Sequence, residues 1–110
     1  MADPEDSGID LSKLKPGTWI EAKTKNNVYE ITILGDGKVK IKGGKYFSEP
    51  VERYFHGSTW GGSIIRANWI GYLMNMEIEN KPRRRPIITT PVRSAVVHGN
   101  GWEYKMEWPS

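Results

Sequence analysis

Two groups of positive charge are the residues best suited to bind a ligand in this 110-residue chain. The first group repeats at every second position, a spacing that places its side chains on one face of a β-strand, and it comprises Lys38, Lys40 and Lys42, with Lys45 close behind. The second group lies between two prolines and comprises Arg83, Arg84 and Arg85. Guanidinium and ammonium groups both bind phosphate, so the two groups predict a surface for an anionic ligand.

Aromatic residues near these charges extend the prediction to nucleic acid. A single strand is held by cations that follow its phosphates and by rings on which bases stack, at about 1–3 kcal/mol per base. The rings that we expect to contribute are Tyr46, Tyr54 and Trp60. Two alternatives stay open, because outward lysines also protect sheets from aggregation and arginines between prolines also occur in solvated loops.

An apolar segment in the second half predicts a contact with another protein or with a second copy of the chain. If residues 63–78 form a strand, one face carries Ile70, Tyr72, Met74, Met76 and Ile78. Together with Trp102–Trp108, this face exceeds what a small interior needs, and a partner would bury the surplus. Packing of all these residues into one core is the alternative. Helical spacing is also present in the segment, but Gly71 and the β-branched residues favour a strand.

No catalytic, metal-binding or cofactor-binding motif stands out. The two histidines, His56 and His98, are about forty residues apart, and each lies beside glycine in a predicted turn. The glycine-rich segment from Gly57 to Ser63 lacks the lysine of a phosphate-binding loop, and no helix start follows it. We therefore expect a non-enzymatic binding module with an unidentified ligand and no cofactor, and nucleic-acid binding through the basic groups is the alternative.

The composition, with 37% apolar and 26% charged residues, predicts one globular domain. Residues 1–10 carry four acidic and no basic side chains, and we expect them to form a disordered tail. The domain would then span residues 11–110, with 16 basic against 9 acidic side chains. There is no cysteine, no secretion signal and no apolar run of roughly 20 residues, so we expect a cytoplasmic protein without membrane insertion.

Turn signals at regular intervals predict an all-β fold of about six or seven short antiparallel strands. Asn26-Asn27 and Gly35-Asp36-Gly37 close hairpins in the first half, and the glycines around Asn100 close another near the end. Such a chain forms a small barrel or a compact two-sheet sandwich. A Pro-Gly turn followed by a three-stranded meander is similar to the pattern of SH3-like barrels. Between Glu49 and Phe55, Pro50 favours a short helical turn.

Overall fold

The computed structural model describes residues 7–60, 64–81, 83–106 and 108. Most of these residues form β-strands. A 3-10 turn, Leu11–Lys13, follows the first strand. The strands are β1 (Gly8–Asp10), β2 (Trp19–Thr24), β3 (Val28–Gly35), β4 (Lys38–Gly43), β5 (Phe47–Thr59), β6 (Ile65–Ala67), β7 (Trp69–Gly71), β8 (Asn75–Ile78), β9 (Ile87–Ile88), β10 (Val92–Gly99) and β11 (Trp102–Lys105). The all-β prediction is confirmed.

Strands β2 to β4 form the predicted three-stranded antiparallel meander, and β5 adds a fourth strand to it. Its core is a row of isoleucines across three strands, in which Ile31 lies opposite both Ile20 and Ile41. All three side chains are fully buried. Between β3 and β4, Asp36 adopts a φ of 53°, the left-handed conformation that the Gly-Asp-Gly turn predicts. Alternation of apolar and polar residues thus fixed both the strands and the face that each one buries.

A single strand, β5, covers the region where a helical turn at Pro50 is expected, so that prediction is wrong. The pairing of β4 with β5 passes from Ile41↔Val51 to Gly43↔Phe47, a shift that leaves Pro50 in a bulge. Proline is tolerated there because a bulged residue does not need to donate an amide hydrogen bond. The strand therefore continues through Pro50 instead of ending at it.

The sheets do not close into a barrel. The large sheet has the order β11-β10-β2-β3-β4-β5-β8-β9, with β6 beside β5, while β1 and β7 form a second sheet of two strands. The two end strands of the large sheet, β11 and β9, do not pair with each other. The barrel prediction is therefore wrong, and the two-sheet alternative holds with very unequal sheets. The described residues contain eleven strands, more than predicted, since several strands have only two to four residues.

The predicted disordered tail extends too far along the chain. Residues 1–6 lie outside the described part, but Gly8–Asp10 form β1, which pairs with β7 in the register Gly8↔Gly71. Asp10 then caps the 3-10 turn, since its Oδ1 accepts hydrogen bonds from the Ser12 amide at 3.0 Å and the Ser12 hydroxyl at 2.6 Å. These bonds lower the pKa of Asp10. A strand of three residues is too short to show a periodicity in sequence.

The segment proposed as a partner surface lies mostly in the core. Asn68 and Leu73 have positive φ angles of 56° and 62°, and these turns divide the expected single strand into β6, β7 and β8. Its apolar side chains no longer share an exposed face, and four of the five are buried: Ile70, Met74, Met76 and Ile78. Tyr72 is half-buried and packs beside the Trp108 ring, with centroids 5.6 Å apart. The prediction of an exposed face is wrong, and the core alternative is correct for this segment. It does not extend to the last strand, where Trp102 and Tyr104 are exposed.

The glycine-rich segment is in part a strand. Gly57, Ser58 and Thr59 belong to β5 and pair with both β6 and β8, while residues 61–63 lie outside the described part. Ser58 is fully buried, and its hydroxyl donates to the Trp69 carbonyl at 2.5 Å and accepts from the Gly71 amide at 3.0 Å. One serine thereby connects the small sheet to the large one.

We expect Gly57→Ala to destabilise the fold by at least about 3 kcal/mol. Gly57 has a φ of 145°, and a Cβ atom there would overlap the carbonyl group of Arg66 on the neighbouring strand. Gly101→Ala is the matched control, because Gly101 also has a positive φ, 82°, but has open space around it. The control should lose only about 1 kcal/mol in urea unfolding. Equal losses would show that β6 does not approach Gly57.

Met76→Ala should destabilise the protein by about 2–5 kcal/mol, because the side chain is fully buried beside the β5 pairing. Urea unfolding measures this loss, and sedimentation of the folded variant should show the same mass as the native chain. A variant of native stability with a changed mass would restore the partner-surface interpretation.

Candidate nucleic-acid interface

The β8–β9 connection and the β4–β5 turn line one cleft of about 390 Å³. We call it the arginine cleft, since its lining includes Arg83, Arg84 and Arg85 from the connection, Tyr46 from the turn and Ile88 from β9. The structure thus brings together four of the sequence-predicted site residues. Tyr46 lies almost forty positions before the three consecutive arginines, so only the fold makes it their neighbour.

Both ends of the arginine-bearing connection are fixed by the sheet. At one end the Glu79 amide donates to the Tyr54 carbonyl at 3.0 Å, and the Glu79 Oε1 accepts from the Tyr54 amide at 3.2 Å. At the other end Ile87 is buried and pairs with Ile78. Pro86 directly precedes β9 and lacks the amide hydrogen that an extension of this strand would need. The three arginines are exposed as a result.

The charge of the arginine cleft is uncompensated. No carboxylate lines it, and among the described residues no carboxylate lies within 4.0 Å of any of the three guanidinium groups. An adjoining cleft of about 270 Å³ shares Arg83 and Arg84 and adds Lys81 and His56. The carboxylate on its lining, Glu79, lies 4.0 Å from the Lys81 ammonium group. A positive potential therefore extends over both clefts.

An exposed ring borders these charges. Tyr46 is 56% exposed, and the Lys45 Nζ lies 5.1 Å from the centroid of its ring. The neighbouring Ile88 side chain is 45% exposed and adds an apolar surface. Exposed rings beside guanidinium groups can stack a base while its phosphate is bound, which is the chemistry expected from the sequence.

Lys38, Lys40 and Lys42 form a lysine strip along β4, but glutamates on neighbouring strands compensate its charge. The Lys38 Nζ lies 3.7 Å from Glu52 Oε1, and the strand register places Lys40 beside Glu52 and Lys42 beside Glu30. A strip that alternates with carboxylates on neighbouring strands is not a strongly positive face. The sequence pattern within β4 could not reveal this, since the glutamates belong to β3 and β5.

The remaining predicted aromatic residues do not join the arginine cleft. Tyr54 is exposed on the outer face, where the Lys38 Nζ lies 5.7 Å from its ring centroid. Trp60 is also exposed, at the far end of β5, and lines neither basic cleft. The two predicted basic groups therefore do not converge around Trp60. Sequence reasoning also missed Lys81 and Ile88, whose positions depend on how β9 pairs with β8.

Each histidine has a carboxylate neighbour that the sequence did not indicate. The His56 Nδ1 lies 3.0 Å from Glu77 Oε2, and the His98 Nδ1 lies 3.4 Å from Glu103 Oε2. The His98 ring also stacks on Trp19, with centroids 4.0 Å apart. No serine, threonine or cysteine lines the cleft that contains His56. Within the described ranges, no three residues of the types that bind metals are grouped.

Compared with protein families, with curated proteins and with solved structures, the chain matches none. Over the described part of the chain, no helix has the length and apolar character needed to cross a bilayer.

Proposed function

We propose that this chain is a non-enzymatic binding module and that the arginine cleft binds single-stranded nucleic acid. The observation that carries the proposal is the position of three arginines without carboxylate partners beside the exposed Tyr46 ring. Outside the first ten residues the chain has 16 basic and 9 acidic side chains, an excess that attracts polyanions.

The cleft makes two kinds of contact with the nucleic acid. Guanidinium groups of Arg83, Arg84 and Arg85 bind successive phosphates, and the Tyr46 ring stacks one base. Ile88 covers the opposite edge of that base. A cleft of about 390 Å³ is of the size that holds a small ligand, so it accepts one base of a single strand and not a duplex, while the neighbouring phosphates contact the exposed arginines. A base in a duplex also keeps its faces stacked and would not be available to the ring.

Two broader expectations belong to the same proposal. The three-stranded meander is similar in pattern to SH3-like barrels, and that likeness supports a binding role only by analogy. The chain contains no cysteine, which suits a reducing compartment, and we propose a cytoplasmic location on that basis.

Replacement of the three cleft arginines by glutamine should weaken binding to a labelled oligothymidine and flatten its salt dependence. Each lost contact between the protein and a phosphate of single-stranded DNA changes the slope of log K against log salt by about 0.7. Loss of three contacts therefore changes it by about 2. Fluorescence anisotropy over a series of salt concentrations measures both quantities.

The matched control replaces Lys38, Lys40 and Lys42 by glutamine, which removes the same number of charges from the compensated strip. It should change the affinity and the slope much less, because those lysines already lie beside Glu30 and Glu52. If the two triple variants lose affinity equally, overall charge and not the arginine cleft causes binding. No binding at low salt would dismiss the proposed function.

Tyr46→Ala should reduce affinity for the same oligonucleotide by about 5-fold to 150-fold, which corresponds to the loss of one stacked base at about 1–3 kcal/mol. The salt slope should stay unchanged, since no phosphate contact is lost. Tyr46→Phe keeps the ring and should bind like the native chain. If Tyr46→Phe binds the oligonucleotide as weakly as Tyr46→Ala, the ligand contacts the hydroxyl group and does not stack on the ring.

A further inference from the structure

The last strand of the chain has an unpaired edge. Strand β11 pairs with β10 through the register Val97↔Tyr104, and no other strand among the described residues pairs with its opposite side. All four of its side chains are exposed. An open edge carries amide and carbonyl groups that can extend a sheet across two molecules.

Backbone hydrogen bonds show which residues face this free edge. The Met106 amide donates to the Ala95 carbonyl at 3.0 Å, so the backbone groups of Met106 point toward the inside of the sheet. Backbone groups alternate between the two edges along a strand, and those of Tyr104 therefore also point toward β10. The groups that point outward belong to Glu103 and Lys105.

Side chains of β11 separate into a charged face and an aromatic face. Glu103 and Lys105 lie on one face, and Trp102 and Tyr104 lie on the other, 50% and 57% exposed. The two rings line an open, mostly apolar groove of about 290 Å³ together with Ile9, Leu14, Val97 and Met106. An exposed apolar surface of this kind on a strand edge favours association.

We propose that β11 pairs with β11 of a second copy of this chain, antiparallel and across a twofold axis, with Glu103 opposite Lys105 of the second copy. This register joins outward-facing groups to outward-facing groups and forms four backbone hydrogen bonds between the chains. It also places each carboxylate beside an ammonium group, twice over, because the axis repeats every contact.

Hydrogen bonding and charge together favour this register over the registers shifted by one or two residues. A shift of one position in either direction changes the facing edge groups and breaks the hydrogen bonds. The next compatible registers place Glu103 opposite its own copy or Lys105 opposite its own copy, and like charges directly opposite each other are unfavourable. Only the proposed register is complementary on the charged face. On the other face it places Tyr104 opposite Tyr104 and Trp102 opposite Met106.

The dimer does not depend on the proposed nucleic-acid function. The arginine cleft is formed by the β4–β5 turn and the β8–β9 connection, whereas β11 lies at the other end of the strand order. The variant without the three cleft arginines should therefore dimerise like the native chain. Loss of one property without the other separates the two proposals.

Sedimentation equilibrium over a range of concentrations tests the dimer. The apparent mass of the native protein should increase with concentration from 12.5 kDa toward twice that value. Glu103→Lys alone and Lys105→Glu alone each place like charges opposite each other, and each should dimerise at least about tenfold more weakly. An equimolar mixture of the two variants should recover the dimer, since every opposite pair is again a lysine with a glutamate. This recovery also shows that both variants are folded.

A single cysteine checks the register independently, because the native chain contains none. In the proposed pairing the two copies of residue 104 are a non-hydrogen-bonded pair with Cα atoms about 4.5 Å apart, which suits a disulfide. Tyr104→Cys should therefore form a covalent dimer on oxidation. Trp102→Cys, the matched control, lies about 14 Å from its own copy and should not.

Three results would overturn the proposal. The first is a native chain that stays at 12.5 kDa up to its solubility limit. The second is a native dimer that neither single charge reversal weakens, which would place the interface on another surface. The third is a mixture of the two variants that remains monomeric while each variant gives the circular dichroism spectrum of the native fold.

Discussion

The fold depends on one strand, β5, that must satisfy the backbone hydrogen bonds of three neighbours. Residues 47–54 pair with β4 along the meander, and residues 57–59 lie between β6 and β8. Gly57 permits this close approach because it has no side chain to meet the backbone of Arg66. The Ser58 hydroxyl then binds two backbone groups of β7 and connects the small sheet. Both halves of the molecule are held together at these consecutive residues.

The arginine cleft follows from this arrangement. Because β8 pairs with the end of β5 and β9 pairs with β8, the connection between β8 and β9 runs along the side of the meander where Tyr46 lies. The described residues of this connection form no strand, so Arg83, Arg84 and Arg85 have no cross-strand carboxylates beside them. Lysines in the centre of the sheet are in the opposite situation, since neighbouring strands supply Glu30 and Glu52. Position in the sheet, more than residue type, determines which cations stay available to a ligand.

An open sheet has two edge strands, and in the large sheet these strands, β9 and β11, differ in length and in side chains. The β9 edge is only two residues long and is followed and preceded by proline-containing connections. The β11 edge is longer, bears exposed rings on one face and carries one charge of each sign on the other. Lysine alone on an edge opposes pairing, but a lysine two positions after a glutamate is complementary to its own antiparallel copy. This pattern is the basis for the proposed pairing of β11 with a second copy of the chain.

The sequence by itself determined strands β2, β3 and β4 and the inward face of each one. Ile20, Ile31 and Ile41 alternate with polar residues, and glycine and asparagine mark the turns, so local chemistry was sufficient. It also singled out Arg83, Arg84, Arg85 and Tyr46, because charge and ring chemistry belong to the residue itself. Tertiary structure alone decided that Met76 and Ile78 are buried, that glutamates compensate the lysine strip and that the arginines meet Tyr46. Each of these depends on which distant strand lies alongside, and strand pairing is a property of the whole chain that no local spacing encodes.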